Sequence, residues 1–257
     1  MSNSKYILEV TNVSKNFGGL QAINQLSFKV ENGLIFSIIG PNGAGKTTAI
    51  NLITGIYPPT SGEIFFQGQN LSKKRPFQLA HMGIGRTFQN IQVFCHMTVR
   101  ENIMVGLHTK SRCGFLKCLF YTPMVWNEEK RIREKTDTVL NFLDLKKKAD
   151  ARVDELPYGD QKRVEIARSL AMGPKLLLLD EPVAGLNLQE TEEMAQTILK
   201  IRNMGVTVIL VEHDMNLIMG ISDTITVLNY GEKIAEGDAQ TVRNNPKVIE
   251  AYLGKEF

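Results

Sequence analysis

Residues 40 to 48 read Gly40-Pro41-Asn42-Gly43-Ala44-Gly45-Lys46-Thr47-Thr48. The pattern G-x-x-x-x-G-K-[ST] follows the apolar run from Leu34 to Ile39 and opens the helical pattern from Lys46 to Ile53, the strand–loop–helix setting that a phosphate-binding loop requires. Each residue type has a physical task there. The glycines let the backbone curl so that successive N–H groups face phosphate oxygens, and the helix start adds the positive end of its dipole. Lys46 is placed to reach the β and γ oxygens and the Thr47 hydroxyl to ligate Mg²⁺. All nine residues, with Pro41, Asn42, Ala44 and Thr48 among them, are candidate nucleotide contacts.

Two later stretches supply chemistry for such a loop. Leu176 to Pro182 reads LLLLDEP, an apolar strand with two adjacent carboxylates at its end, the edge at which open α/β sheets bind ligands. Asp180 is the candidate for the Mg²⁺ shell and Glu181 for the general base that polarises the attacking water. A second strand, VTVILV at 206 to 211, ends in Glu212-His213-Asp214 and brings His213 to the same edge, where it would orient the water or sense the γ-phosphate.

The first third of the chain alternates short apolar runs with Gly and Asn turns, as in YILEVTNV, LSFKV and GEIFFQGQ, and is expected to be β structure. From about Val93 to Ala171 the apolar positions take helical spacing, as at Ile132, Val139, Leu143, Val164, Ala167 and Ala171. LLLLD, VTVILVEHD and ITVLNYGEKIAEG then signal a mainly parallel core closed by a hairpin. The fold class is α/β: a P-loop NTPase core with an N-terminal antiparallel β portion and an inserted helical subdomain. The core is assigned to 1–92 and 172–257 and the subdomain to 93–171.

A net charge of +3 on 257 residues offers no electrostatic warrant for nucleic acid. No apolar run approaches the roughly 18 residues of a membrane span, and MSNSKYILEV does not resemble a signal peptide, so the chain is expected on the cytoplasmic side. Cys95, Cys113 and Cys118 lack the partners of a zinc site or a disulfide frame. NEEKRIREKTD and KKKAD are expected to be solvated charged faces.

Taken together, the stations resemble those of an ABC-type ATPase over essentially the whole chain. Beyond GPNGAGKTT and LLLLDEP there are an aromatic at Phe17, a glutamine after a strand at Gln89 in RTFQN, the segment LPYGDQKRVEIAR, the turn AGLN after the acid pair, and the histidine of VEHD, in the family's order. The resemblance implies that Phe17 stacks on adenine, that Gln89 contacts Mg²⁺ or water, and that Gly159 in the signature segment completes the ATP site of a second ATPase subunit, identical or paralogous. It also implies a head-to-tail pair that closes on two MgATP and drives separate permease subunits, fed by a substrate-binding protein, at the cytoplasmic face of the membrane. Two departures bear on closure. Leu156-Pro157-Tyr158-Gly159-Asp160 stands where the family usually has L-S-G-G-Q, and an ionised Asp160 would repel phosphate unless turned away to cap the helix. Asn187 stands where aspartate is usual.

The L-x-Y-G-D-Q signature, RTFQ and the ending NNPKVIEAYLG look like the ATPase subunits of branched-chain amino acid importers, with importers of urea, amides or other small solutes as the alternative. A soluble ABC ATPase of DNA repair or translation would carry a long coiled coil or tandem ATPase domains, which this chain does not show; a phosphotransferase would leave the signature unexplained, and a regulatory subunit with impaired hydrolysis is separated by measuring turnover. The aromatic stretch HTKSRCGFLKCLFYTPMVWN, 108–127, is expected to pack on the helical subdomain, the alternative being a hairpin that touches the permease or the membrane. Permease coupling is expected at about Asn90 to Arg100.

Overall fold

The structure, a computed structural model, describes residues 5–108 and 123–253, with side chains described except at 108, 123–128 and 253. Cys113 and Cys118 and the packing of the 108–127 stretch lie outside the described residues. The chain forms two compact units, one of Met1–Arg86 with Lys175–Phe257 and one of Thr87–Pro174.

The first unit holds two sheets. Strands β1 (Tyr6–Phe17), β2 (Leu20–Glu31), β4 (Ser61–Phe66) and β5 (Gln69–Asn70) form an antiparallel sheet in the order β2-β1-β4-β5. The second sheet has the order β10-β9-β3-β8-β7-β6, from β3 (Ile35–Ile39), β6 (Ile84–Arg86), β7 (Leu176–Asp180), β8 (Thr207–Val211), β9 (Thr224–Asn229) and β10 (Glu232–Gly237). All its pairings are parallel except the closing β9–β10 hairpin. Every residue of β3, β7 and β8 is buried, which is why these strands read as unbroken apolar runs rather than as alternating ones. Residues of both sheets and of the helix Lys46–Ile53 share one core, with Leu8, Ile23, Ile38, Ile50 and Leu178 fully buried.

In the parallel sheet Ile38 of β3 and Asp180 of β7 both pair with Val211 of β8. Parallel strands end on one edge, so the phosphate loop after β3, the acids after β7 and His213 after β8 emerge at the same level, about 10 Å from first to last at one strand spacing per step. This register is what builds the site.

The second unit is helical, with helices Val99–His108, Pro123–Phe142 and Tyr158–Ala171. Its entry is held by Asn102, whose amide donates to the carbonyls of Phe94 and Thr98 (both 3.0 Å) and accepts from Phe94 N–H. The division falls at Arg86/Thr87 and Pro174/Lys175 rather than at the positions placed from composition. The reason lies in Glu165, whose carboxylate accepts the N–H groups of Phe88 (3.1 Å) and Gln92 (3.2 Å) and binds residues 88–92 to the helix Tyr158–Ala171. The stretches expected to be solvated charged faces are mostly so: Arg131, Arg133, Glu134, Lys135, Lys146, Lys147 and Asp150 are exposed, while the half-buried Asp137 and Lys148 pair with Arg100 (2.7 Å) and with the buried Asp160.

Candidate functional site

The phosphate loop begins where β3 ends. Gly40 has φ 151°, and a Cβ there would lie 2.1 Å from the carbonyl oxygen of Leu228. At Gly45, the residue before the helix, a Cβ would lie 2.9 Å from Ala22 O. Gly231, at the tip of the β9–β10 hairpin, donates to Ala44 O (3.0 Å) and accepts from Asn24 N–H (2.9 Å). The loop is thus wedged between β2 and the hairpin, with glycine where backbone meets backbone. Lys46 opens the helix, and its Nζ donates to Gly40 O (2.6 Å) and Pro41 O (3.1 Å). Burial lowers the Lys46 pKa, against the charges of Glu181 and then Asp180, which raise it. The three charges therefore share one electrostatic site. Thr47, on the first turn, is exposed.

At the end of β7 the two acids take different environments. Asp180 is 3% exposed, and its Oδ2 accepts from Arg86 Nη2 at 3.1 Å. Burial pushes its carboxyl pKa up, and Arg86 opposes that rise. Glu181 turns out of the strand with φ 50°, its N–H donating to Val211 O at 2.8 Å. A non-glycine residue in the left-handed region persists only where its surroundings fix it, and such residues cluster at functional sites. His213 Nδ1 lies 3.9 Å from Glu181 Oε1. Behind them Glu212, fully buried, accepts Val183 N–H (2.8 Å) and His213 N–H (3.1 Å). Burial raises the Glu212 pKa, and those two donors oppose it. Glu212 therefore joins the turn after the acids to the end of β8.

Phe17 ends β1, where its ring meets Tyr57 edge-to-face at 5.1 Å and 80°. Lys15 Nζ stands 5.0 Å from the Phe17 ring centre and donates to Pro58 O at 2.9 Å. Tyr57 belongs to the chain that leaves the phosphate-loop helix, its N–H donating to Asn51 O at 3.3 Å. The ring is thereby referenced to the phosphate loop. Gln89 and Gly159 belong to the second unit. Gln89 follows β6 on the segment held by Glu165, and Gly159 is buried on the first turn of the helix Tyr158–Ala171.

For a metal, the candidate oxygen donors of the first unit are the Asp180 carboxylate and the Thr47 hydroxyl. No group of three or more His, Cys, Asp or Glu among the described residues would hold an ion by itself. Two hard oxygen donors fit a small divalent cation that brings phosphate oxygens with it.

Comparison with known proteins decides which phosphate-loop family this is. The family model described as "ABC transporter" matches residues 23–184, and that described as "Branched-chain amino acid ATP-binding cassette transporter" matches residues 232–257. The chain belongs to the ABC transporter family. The high-affinity branched-chain amino acid transport ATP-binding protein LivG of Escherichia coli K12 is 43% identical over 253 residues, 98% of this chain and 99% of that protein. Among solved structures, an ATP-binding cassette of an ABC transporter in its ADP conformation has TM-score 0.85 at 36% identity, covering 97% of this chain and 99% of that one. A dimeric cassette in a post-hydrolysis state with ADP and Pi has TM-score 0.76 at 27% identity, covering 90% and 98%.

The cassette is thus a nucleotide-binding ATPase subunit of a transporter, and no helix among its described residues is long and apolar enough to cross a membrane. Its departures from the family pattern have structural answers. Asp160 is turned away from the helix start, yet it does not cap the helix: it pairs with Lys148 and lies 3.8 Å from Arg163, while Pro157 is the N-cap residue and no side chain caps it. Asn187 is the N-cap of the helix Leu188–Asn203, accepting Glu190 N–H at 3.0 Å while Glu190 accepts Asn187 N–H at 3.0 Å. This reciprocal box is written in the sequence as Asn187-x-x-Glu190 and escapes notice only when position 187 is weighed for its charge. Asn187→Ala is expected to lower stability by about 1 kcal/mol, read from urea unfolding, and Asn187→Asp to leave it within a few tenths.

The site residues not anticipated are Arg86, Tyr57, Lys15 and Glu212. RTFQ and VEHD display two of them, but a charged residue beside a motif shows its role only through its contacts.

Proposed function

We propose that this cassette hydrolyses MgATP as one half of a head-to-tail pair and drives a membrane permease that imports branched-chain amino acids. The observation that carries the chemistry is the shared register of the phosphate loop, Asp180-Glu181 and His213 at one sheet edge. In this reading Gly40 to Thr48 hold the phosphates, Lys46 neutralises the β and γ oxygens, and Thr47 and Asp180 enter the Mg²⁺ shell. The bound cation supplies charge neutralisation at the transferring phosphoryl group. Glu181 accepts a proton from the attacking water, and His213, 3.9 Å from that carboxylate, orients the water or senses the γ-phosphate. Phe17 stacks on adenine. Gln89, of the second unit, takes the sensor role and Gly159 the partner-facing one on family resemblance, and the dimeric relative supports the pairing.

The solute follows the names of the relatives and the match at residues 232–257. A separate permease is proposed because a transporter subunit with no membrane span among its described residues needs one, and a substrate-binding protein because the resemblance is to importers. Loss of this gene is expected to abolish uptake of labelled leucine and to spare urea and acetamide; the reverse pattern would move the solute assignment to the alternative class. In the purified protein, EDTA is expected to stop phosphate release. Phe17→Ala is expected to raise KM for ATP about tenfold with kcat little changed, the value of one base–aromatic stack. An unchanged KM would remove Phe17 from the site.

A further inference from the structure

Arg86 is the last residue of β6, paired in parallel with Leu178 of β7. Its guanidinium, on a side chain 10% exposed, reaches three acceptors on two other elements. Nη2 donates to Asp180 Oδ2 (3.1 Å), and Nη1 donates to Asn51 Oδ1 (2.6 Å) and to Thr54 Oγ1 (3.0 Å). Asn51 lies on the phosphate-loop helix and Thr54 is its C-cap residue. Thr47 and Asn51 are four residues apart on that helix, so they share one face, one turn above the other. The guanidinium is therefore tied directly to Asp180 and, through one helical turn, to Thr47.

We propose that Arg86 is a positioning residue for the metal shell of the ATP site, setting the Asp180 carboxylate against the phosphate-loop helix so that Asp180 and Thr47 meet one divalent cation together. The inference rests on the assignment of Asp180 and Thr47 to Mg²⁺ above. A buried guanidinium needs its remaining donors satisfied as well as its charge opposed, so what matters is where those acceptors lie. This one spends two of its donors on neutral acceptors of the helix that carries Thr47, and only the planar guanidinium fork spans all three. Lysine, with a single head, cannot.

The test is calorimetric binding of ATP to the full chain, once in EDTA and once with excess Mg²⁺, the ratio of the two affinities being the metal-dependent gain. Arg86→Met is expected to keep metal-free ATP affinity within about twofold of wild type and to cut the gain about tenfold, the usual scale for losing a group that orients a metal ligand. Arg86→Lys is expected to stay within threefold of Arg86→Met, since it restores charge but not the fork. A gain unchanged in Arg86→Met, or a metal-free affinity that falls in step with the gain, overturns the proposal, the second outcome marking Arg86 as support for the loop alone. If Arg86→Met does not fold, Asn51→Ala removes the 2.6 Å bond and leaves the ion pair; a gain reduced about threefold is then expected, and an unchanged one overturns the proposal. Asp180→Asn separates the two layers. If it keeps the wild-type gain, the metal assignment fails and takes this inference with it; if it loses the gain while Arg86→Met keeps it, this inference alone fails.

Discussion

Glu181→Gln is expected to lower ATP turnover at least about a hundredfold while ATP binding persists, since a positioned general base contributes about 10²–10⁴ in rate. The substitution keeps side-chain length and shape and removes the proton acceptor. The backbone at 181, with φ 50° and its N–H bonded to Val211 O at 2.8 Å, faces the same demand from either residue, so the turn should survive. Lys46 loses one of the two carboxylates whose charges raise its pKa against burial. Its contacts to the Gly40 and Pro41 carbonyls are untouched. With hydrolysis blocked and binding intact, ATP-bound cassettes should accumulate as pairs, visible as a doubled mass in size-exclusion chromatography with ATP. Phosphate release at the wild-type rate would dismiss Glu181 as the base. Loss of binding together with turnover would mean that the residue shapes the loop instead.

The largest stability effect is expected at Gly40→Ala. Its Cβ would stand 2.1 Å from Leu228 O, a backbone atom of β9, which is paired on both sides by β10 and β3, and 3.0 Å from Ala44 Cβ. No rotamer relieves a clash with main chain, and the residue also has φ 151°, where an L side chain is strained. Overpacking of about 1–3 kcal/mol and backbone strain of similar size add to roughly 2–6 kcal/mol. For a chain of this length that is a fall in Tm of the order of 10 °C, measurable by calorimetry. Nucleotide affinity should fall further than stability alone predicts, because relief requires the loop to move off the β9–β10 hairpin that braces it through Gly231 and Ala44. Gly43→Ala makes the control, since no atom lies within 4 Å of a Cβ there; it bears φ strain of about 1–2 kcal/mol without the clash. Equal losses at Gly40 and Gly43 would show that conformation, not the close approach to Leu228, is what the loop demands.

The phosphate loop, the acid pair and the histidine were legible because each couples a short-range pattern to an element end: a strand recognisable by its unbroken apolar run, then the residue that does chemistry. The helix Lys46–Ile53 was bounded correctly for the same reason. The antiparallel portion and the closing hairpin were legible from alternation and turn residues, with Tyr230-Gly231 forming the turn at φ 46° and 79°. Asp160 was half legible: that a carboxylate would turn from the signature start follows from charge, but its partner Lys148 sits in a lysine run where any of three residues serves equally well on paper.

The sequence by itself determined the family of this protein and marked its candidate site, because a strand–loop–helix with Gly40 to Thr48 and the end of a strand at Asp180 and Glu181 are local facts, written within a few residues. Tertiary structure alone decided how these parts are held. Arg86 reaches Asn51 and Asp180 across 35 and 94 residues of chain, Gly40 is pressed by Leu228, Phe17 meets Tyr57, and Glu212 ties Val183 to His213. Such contacts depend on strand order and register, and a side chain's neighbours across a sheet are set by pairings that no local pattern encodes.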